Sequence, residues 1–146
     1  MRINDKRVPA DFALDVMENR DIEILSNGSP TRTFCYIADA VCGYLKILLH
    51  GTYDYFNIGM DRPEISISQL AEIYAAAGKE VFGYTGKVIY AESHDHAYLV
   101  NNPQRRCPDI SKARRVLGYE PTVSVEDGVK RFLTFLKESD EKEYKW

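Results

Sequence analysis

Apolar residues near the start of the chain recur with a helical period and then switch to alternation. Val8, Phe12, Ala13, Val16 and Met17 fall on one face, which predicts a short amphipathic helix from Val8 to about Met17 with Arg7 at its start. Asn19-Arg20-Asp21 breaks the pattern, and Ile22-Glu23-Ile24-Leu25 alternates as a strand does. Asn27-Gly28-Ser29-Pro30 is turn chemistry, since glycine is free to take positive φ and proline fixes φ. Thr33 to Ile37 is a short aromatic and β-branched run that should pack, and Asp39 is placed to cap the next helix. Val41, Leu45, Leu48 and Leu49 give that helix, about Asp39 to His50, an apolar face, and Gly51 stops it.

In the second half, Tyr53 to Gly59 reads as a strand ending in glycine. Ser66 with Gln69 makes a capping box, and Ile65 with Leu70 a hydrophobic staple. The helix they open carries Leu70, Ile73, Tyr74, Ala77 and Val81 on one face, with its end blurred by Gly78. Lys87 to Ala91 is another strand. The irregular segment from Glu92 to Pro108 is long for a loop in a compact domain, a length typical of functional segments. Asp109 caps a helix through Leu117, closed by Gly118 with Pro121 beyond. Ser124 caps a last helix whose buried face is Val129, Phe132, Leu133 and Leu136, and the charged stretch from Glu138 to Trp146 should fray. Helices alternating with few, short strands predict an α/β class, a small sheet with helices in excess, and not a full doubly wound fold.

Composition narrows the function classes. The 146 residues suffice for one domain with one hydrophobic core, and 45% hydrophobic with 28% charged residues describe an ordinary globular chain. A net charge of −3 argues against a general nucleic-acid binder. No apolar run approaches the roughly 20 residues that span a bilayer. Met1 to Arg7 lacks the apolar part of a secretion signal, so a cytoplasmic chain with no membrane or nucleic-acid partner is the expectation. Cys35, Cys42 and Cys107 are odd in number and have no C-x-x-C spacing, which disfavours disulfides and zinc; Cys35 and Cys42 read as small core residues.

Searches for self-contained catalysis come back empty. There is no glycine-rich dinucleotide cradle, no Walker lysine motif, no G-x-S-x-G elbow, and none of the ten tyrosines is followed four positions later by lysine. No catalytic, cofactor-binding or metal-binding residue is therefore assigned. His94-Asp95-His96 lacks a third ligand and reads as solvated loop histidines. The arginines are more informative. Arg7 starts a helix, Arg32 follows a turn, and Arg105 and Arg106 sit in Pro103-Gln104-Arg105-Arg106-Cys107-Pro108, just before a capped helix. If they converge, their planar forks make a site for a doubly charged diphosphate; if they point to different surfaces, they are ordinary surface arginines beside carboxylates.

Five blocks carry a resemblance, in order: Asn4 to Val8, Gly28 to Asp39, Phe56-Asn57-Ile58-Gly59, Pro103 to Ala113, and Leu117 to Pro121. Together they resemble the C-terminal part of the NAD-dependent epimerase/dehydratase family, the extended short-chain dehydrogenases that act on nucleotide sugars. The resemblance is strongest to the UDP-glucuronate decarboxylases, followed by the dTDP-glucose 4,6-dehydratases. It implies that residues 1–137 are a substrate-binding lobe without its Rossmann lobe and that 138–146 are a charged tail. It places Arg7 and Arg32 near the nucleotide diphosphate, Asn57 in the lining of the same site, and Arg106 close to the diphosphate or the sugar. Tyr36 and Asp39 become structural, a packed aromatic and a helix cap. Asn101 and Asn102, where decarboxylases usually carry acidic residues, and Cys107, where a lysine is common, leave the substrate open.

The family's catalytic tyrosine and lysine and its NAD-binding glycines belong to the Rossmann lobe. The resemblance thus implies NAD in the complete enzyme, where oxidation of the sugar C4 hydroxyl to a ketone makes decarboxylation or elimination accessible. This chain alone is expected to bind no NAD and to be inactive. The implied partners are a nucleotide-sugar diphosphate and a chain carrying the Rossmann lobe, with the oligomeric state left open. The alternatives are a non-catalytic nucleotide-binding or partner-binding remnant, or a fragment of a dTDP-glucose 4,6-dehydratase or a 4-epimerase.

Overall fold

The computed structural model describes residues 7–91 and 103–139. Among them are five helices, α1 (Val8–Met17), α2 (Ile37–Leu49), α3 (Ile67–Phe82), α4 (Ser111–Leu117) and α5 (Val125–Glu138), and five short strands, β1 (Ile22–Ile24), β2 (Thr31–Arg32), β3 (Ile65–Ser66), β4 (Val88–Tyr90) and β5 (Arg105–Arg106). The class is α/β with helix in excess, but the strands make two sheets where the sequence predicts one. β1 and β4 pair in parallel, and a second sheet has the order β3-β2-β5, antiparallel on one side of β2 and parallel on the other. The histidine cluster at 94–96 lies outside the described residues, as do residues 140–146 of the tail. No helix of the described residues is long and apolar enough to cross a membrane.

Most elements follow from local chemistry. α1 carries a proline in its first turn, where a missing N–H costs nothing, and buries Ala10, Phe12, Ala13 and Val16. α3 opens with the full capping box, the Ser66 hydroxyl accepting from the Gln69 N–H and the Gln69 side chain accepting from the Ser66 N–H. It runs past Gly78 and ends only at Gly83, whose φ of 72° supplies the left-handed cap. Gly78 is a point of close approach, because a Cβ there would stand 2.7 Å from a Val16 methyl. α5 is capped by Ser124, which accepts from the Asp127 N–H, and it buries Val129, Leu133 and Leu136. Its stripe lies along α3, and α1, α3, α5 and β1 enclose the main core.

The structure corrects four expectations. α2 begins at Ile37, so Asp39 is not its cap; its Oδ2 accepts from the backbone N–H groups of Thr122 (3.2 Å) and Val123 (3.0 Å), which pins the loop before α5. Asp39 still lies in the first turn of α2, where its charge suits the helix dipole, but these two hydrogen bonds come from the distant loop. Tyr53 to Gly59 is not a strand, since among the described residues no neighbouring strand supplies a ladder and extended chain becomes a strand only by pairing. Arg105–Arg106 is a strand and not a loop, made so by its pairing with β2.

The fourth correction concerns α2 itself. Its side buried against the protein is formed by Asp39 and Gly43, while Val41, Leu45, Leu48 and Leu49 are exposed, Leu49 by 83%. Cys42 is exposed as well, not a core residue. Tyr36, by contrast, packs beside Gly128 with the Arg131 guanidinium 5.6 Å from its ring centre. α2 rests on a second, smaller core of Ile110, Ala113 and Tyr119, backed by Phe56, Ile58 and Leu117.

Candidate anion-binding site

The turn at Gly28 aims β2. Its φ of 71° is the left-handed region, and its backbone lies against α3, where the Ser68 hydroxyl donates to the Gly28 carbonyl at 3.2 Å. β2 then runs between β3 and β5. Thr31 N–H donates to the Gln104 carbonyl (2.8 Å) and Thr33 N–H to the Arg106 carbonyl (3.3 Å), a ladder that sets Thr31 beside Arg105 and Arg32 beside Arg106. Strand side chains alternate between faces, so Arg32 and Arg106 share one face and Thr31 and Arg105 the other.

The arginine face lines an open cavity of about 1160 Å³ whose wall also includes Arg7, Phe12, Ile24 and Phe34. Arg7 is the residue before α1, and its carbonyl accepts the first free N–H groups of that helix, from Ala10 (2.7 Å) and Asp11 (3.0 Å). Arg32 is held by carbonyls. Its Nη1 donates to the Thr31 (2.7 Å) and Gln104 (3.3 Å) carbonyls, and its Nη2 to the Pro103 carbonyl (2.7 Å), bonds that orient the fork. A second cavity of about 620 Å³, lined by Cys35, Met60, Arg105 and Cys107 among others, shares Arg32, Thr33 and Arg106 with the first.

On the α1 and β1 side the larger cavity is acidic, with Asp15, Asp21 and Glu23 in its wall. Burial pushes the Asp15 carboxyl up, against the opposing pull of Arg20, whose Nη2 lies 2.9 Å from Asp15 Oδ1. Asp21 is occupied by the Lys87 N–H at 2.8 Å. A cavity basic at the β2–β5 edge and apolar beneath suits a ligand with a doubly charged middle and a flat, less polar end.

The structure brings Arg7, Arg32 and Arg106 to one cavity and leaves Asn57 outside it. Asn57 lines neither cavity; its Nδ2 donates to the Asp109 carbonyl at 3.0 Å and ties the segment before Gly59 to the start of α4. Asp109 Oδ1 in turn accepts the Ser111 N–H at 2.9 Å, but the cap position of α4 is Ile110, which makes no side-chain cap bond, so Asp109 stands one residue before the place it was expected to fill. Arg105, adjacent to Arg106 in sequence, faces the other way. Its Nε donates to both oxygens of Glu64 at 2.9 Å, and Glu64 also accepts from the Thr31 hydroxyl. Arg105 first, then Thr31, hold the Glu64 carboxyl below the usual carboxylate range. Sequence reasoning missed Glu64; a single carboxylate 41 positions from its partner carries no periodic signal.

With this geometry in hand, comparison with known proteins is informative. The family model for GDP-mannose 4,6 dehydratase matches residues 6–132. UDP-glucuronic acid decarboxylase 1 of Xenopus tropicalis is 31% identical over 138 residues, covering 94% of this chain and 30% of the relative. The solved UDP-glucose 4-epimerase of Thermotoga maritima, with UDP-glucose, superposes with a TM-score of 0.74 at 28% identity, over 90% of this chain and 40% of that one. The UDP-glucuronic acid 4-epimerase of Bacillus cereus, in complex with UDP-glucuronic acid and NAD, superposes with a TM-score of 0.70 at 25% identity, again over 40% of its length. The chain thus spans well under half of the proteins it matches. On its sequence and its fold alike, the chain belongs to the nucleotide-sugar epimerase/dehydratase family, matched through its GDP-mannose 4,6 dehydratase model.

Proposed function

We propose that this chain is the nucleotide-sugar-binding part of an NAD-dependent sugar-nucleotide decarboxylase or dehydratase, most similar in role to the UDP-glucuronate decarboxylases. The observation that carries the reading is the pair Arg32 and Arg106, register partners on adjacent parallel strands and in one cavity wall with Arg7. Two guanidinium groups on one face of neighbouring strands offer planar donor forks to the same cavity, an arrangement suited to an anionic ligand. In this reading Arg7, Arg32 and Arg106 bind the diphosphate and orient the sugar, while Asn57 supports the site by anchoring the strand-like segment below it.

The described residues offer no glycine cradle of the kind that holds NAD. Among the described glycines those with positive φ stand singly, Gly28 at a turn and Gly51, Gly83 and Gly118 at the ends of helices, so none forms a phosphate cradle at a helix start. The redox step is assigned to the part of the family's length that this chain does not match. Calorimetric titration with UDP tests the binding role: saturable one-to-one binding is the expected result, and no heat from a folded chain overturns it.

A second observation bears on the partner. Ile37, Tyr44, Leu45, Leu48 and Leu49 of α2 are exposed, as are Tyr53 and Tyr55 soon after it, an unusual concentration of exposed large apolar side chains in one stretch of chain. We assign to it the nucleotide-binding lobe that makes up the rest of the family's length. Without that lobe the surface should associate with itself. Sedimentation is expected to show concentration-dependent larger species that a Leu45→Glu/Leu49→Glu variant abolishes; a wild-type chain that stays monomeric overturns the assignment.

A further inference from the structure

We propose that Glu64 is a positioning residue for the anion site: from the outer face of the β3-β2-β5 sheet it sets the register that stands Arg106 beside Arg32 in the cavity wall. The inference rests on the proposed binding role for its ligand readout, and on geometry alone for the clamp. β5 is only two residues long, and the bonds that join it to β2 include those from the Thr31 and Thr33 N–H groups to the Gln104 and Arg106 carbonyls. So short a strand is weakly held in register, and a slip of one residue would turn Arg105 into the cavity and Arg106 out of it.

Glu64 opposes it. It directly precedes β3, so its backbone is fixed by the pairing of Ile65 with Arg32. Its carboxylate takes the Arg105 guanidinium through Nε (2.9 Å to each oxygen) and Nη2 (2.8 Å), and accepts from Thr31 as well. One carboxylate therefore joins β3, β2 and β5 on the face opposite the cavity. Arg32, through the Pro103 and Gln104 carbonyls, holds the same strand from the cavity side. The plain alternative is a surface ion pair of no consequence, since the Arg105 side chain is 66% exposed. Exposure does mean that the pair adds little to global stability. The two readings consequently separate in what they predict for binding.

The test is a Glu64→Gln variant, with Glu64→Asp as the conservative control, titrated with UDP. The expected result is roughly tenfold weaker binding at an unchanged melting temperature, with partial recovery in Glu64→Asp. In addition, Glu64→Gln should weaken binding no further when combined with Arg106→Ala. Unchanged affinity, or losses that add in the double variant, overturn the proposal. If the wild-type chain binds no UDP, the binding role fails, and amide exchange decides the clamp separately. Faster exchange at Thr31 and Thr33 in Glu64→Gln, with the α3 and α5 amides unaffected, upholds the clamp, and no change there overturns it.

Discussion

Replacing Arg32 by alanine is expected to weaken UDP binding by about 10- to 100-fold, the largest effect of any single change at the site. A hydrogen bond to a charged group contributes about 1.5–3 kcal/mol, and each 1.4 kcal/mol is about tenfold in affinity. Two losses combine in this variant. The charged fork disappears from a residue that lines both cavities, and so do its bonds to the Thr31, Gln104 and Pro103 carbonyls, the last two just before the strand carrying Arg106. Arg32→Lys keeps the charge but not the planar fork, and should recover only part of the affinity. Isothermal titration of the three proteins checks this. An Arg32→Ala variant that binds UDP as the wild type does would sink the proposed site.

The largest expected loss of stability comes from Tyr119→Ala, about 3–5 kcal/mol by the behaviour of large aromatic truncations. Tyr119 is 1% exposed and is the largest fully buried side chain among the described residues. It is also the centre of the smaller core. Its hydroxyl donates to the Gly59 carbonyl at 3.0 Å and lies 3.5 Å from Cys35 Sγ, and its ring touches the helix α2 at Gly43, where an added Cβ would stand 3.0 Å from it. Burial pushes its phenol up, so it remains a neutral donor throughout the physiological range. Tyr119→Phe keeps the packing but leaves the Gly59 carbonyl without this donor, a cost of about 1–3 kcal/mol. Urea unfolding measures both. Because the smaller core has only three buried members, Tyr119→Ala should release α2 and α4 first while α1, α3 and α5 stay folded, visible as selective loss of amide protection.

Elements with strong local signals were legible in the chain itself. The capping box of Ser66 and Gln69, the Ser124 cap, the stripe of α5 and the alternation of Ile22 and Ile24 each depend on neighbours within one or two turns. The arginines were legible as a type and an order, because planar cations at turns and helix starts are unusual in an acidic chain. Where the reading went wrong, the deciding contacts were long-range. Asp39 was read as a local cap, yet its partners lie more than 80 positions away. The apolar face of α2 was read as core, because a periodic stripe is the same whether it is buried by its own chain or by another lobe.

The sequence by itself determined the helices, the Ser66 and Ser124 caps, the family, and the three segments that carry Arg7, Arg32 and Arg106. Only the tertiary structure decided that these arginines meet in one cavity wall and that Arg105 turns away to Glu64. It also decided that Asn57 braces α4 while α2 keeps its apolar side outward. The physical reason is range. Caps and periodicity are set by atoms a few residues apart, whereas the face on which a strand side chain emerges depends on a register fixed across more than 70 residues, between Thr31 and Arg105.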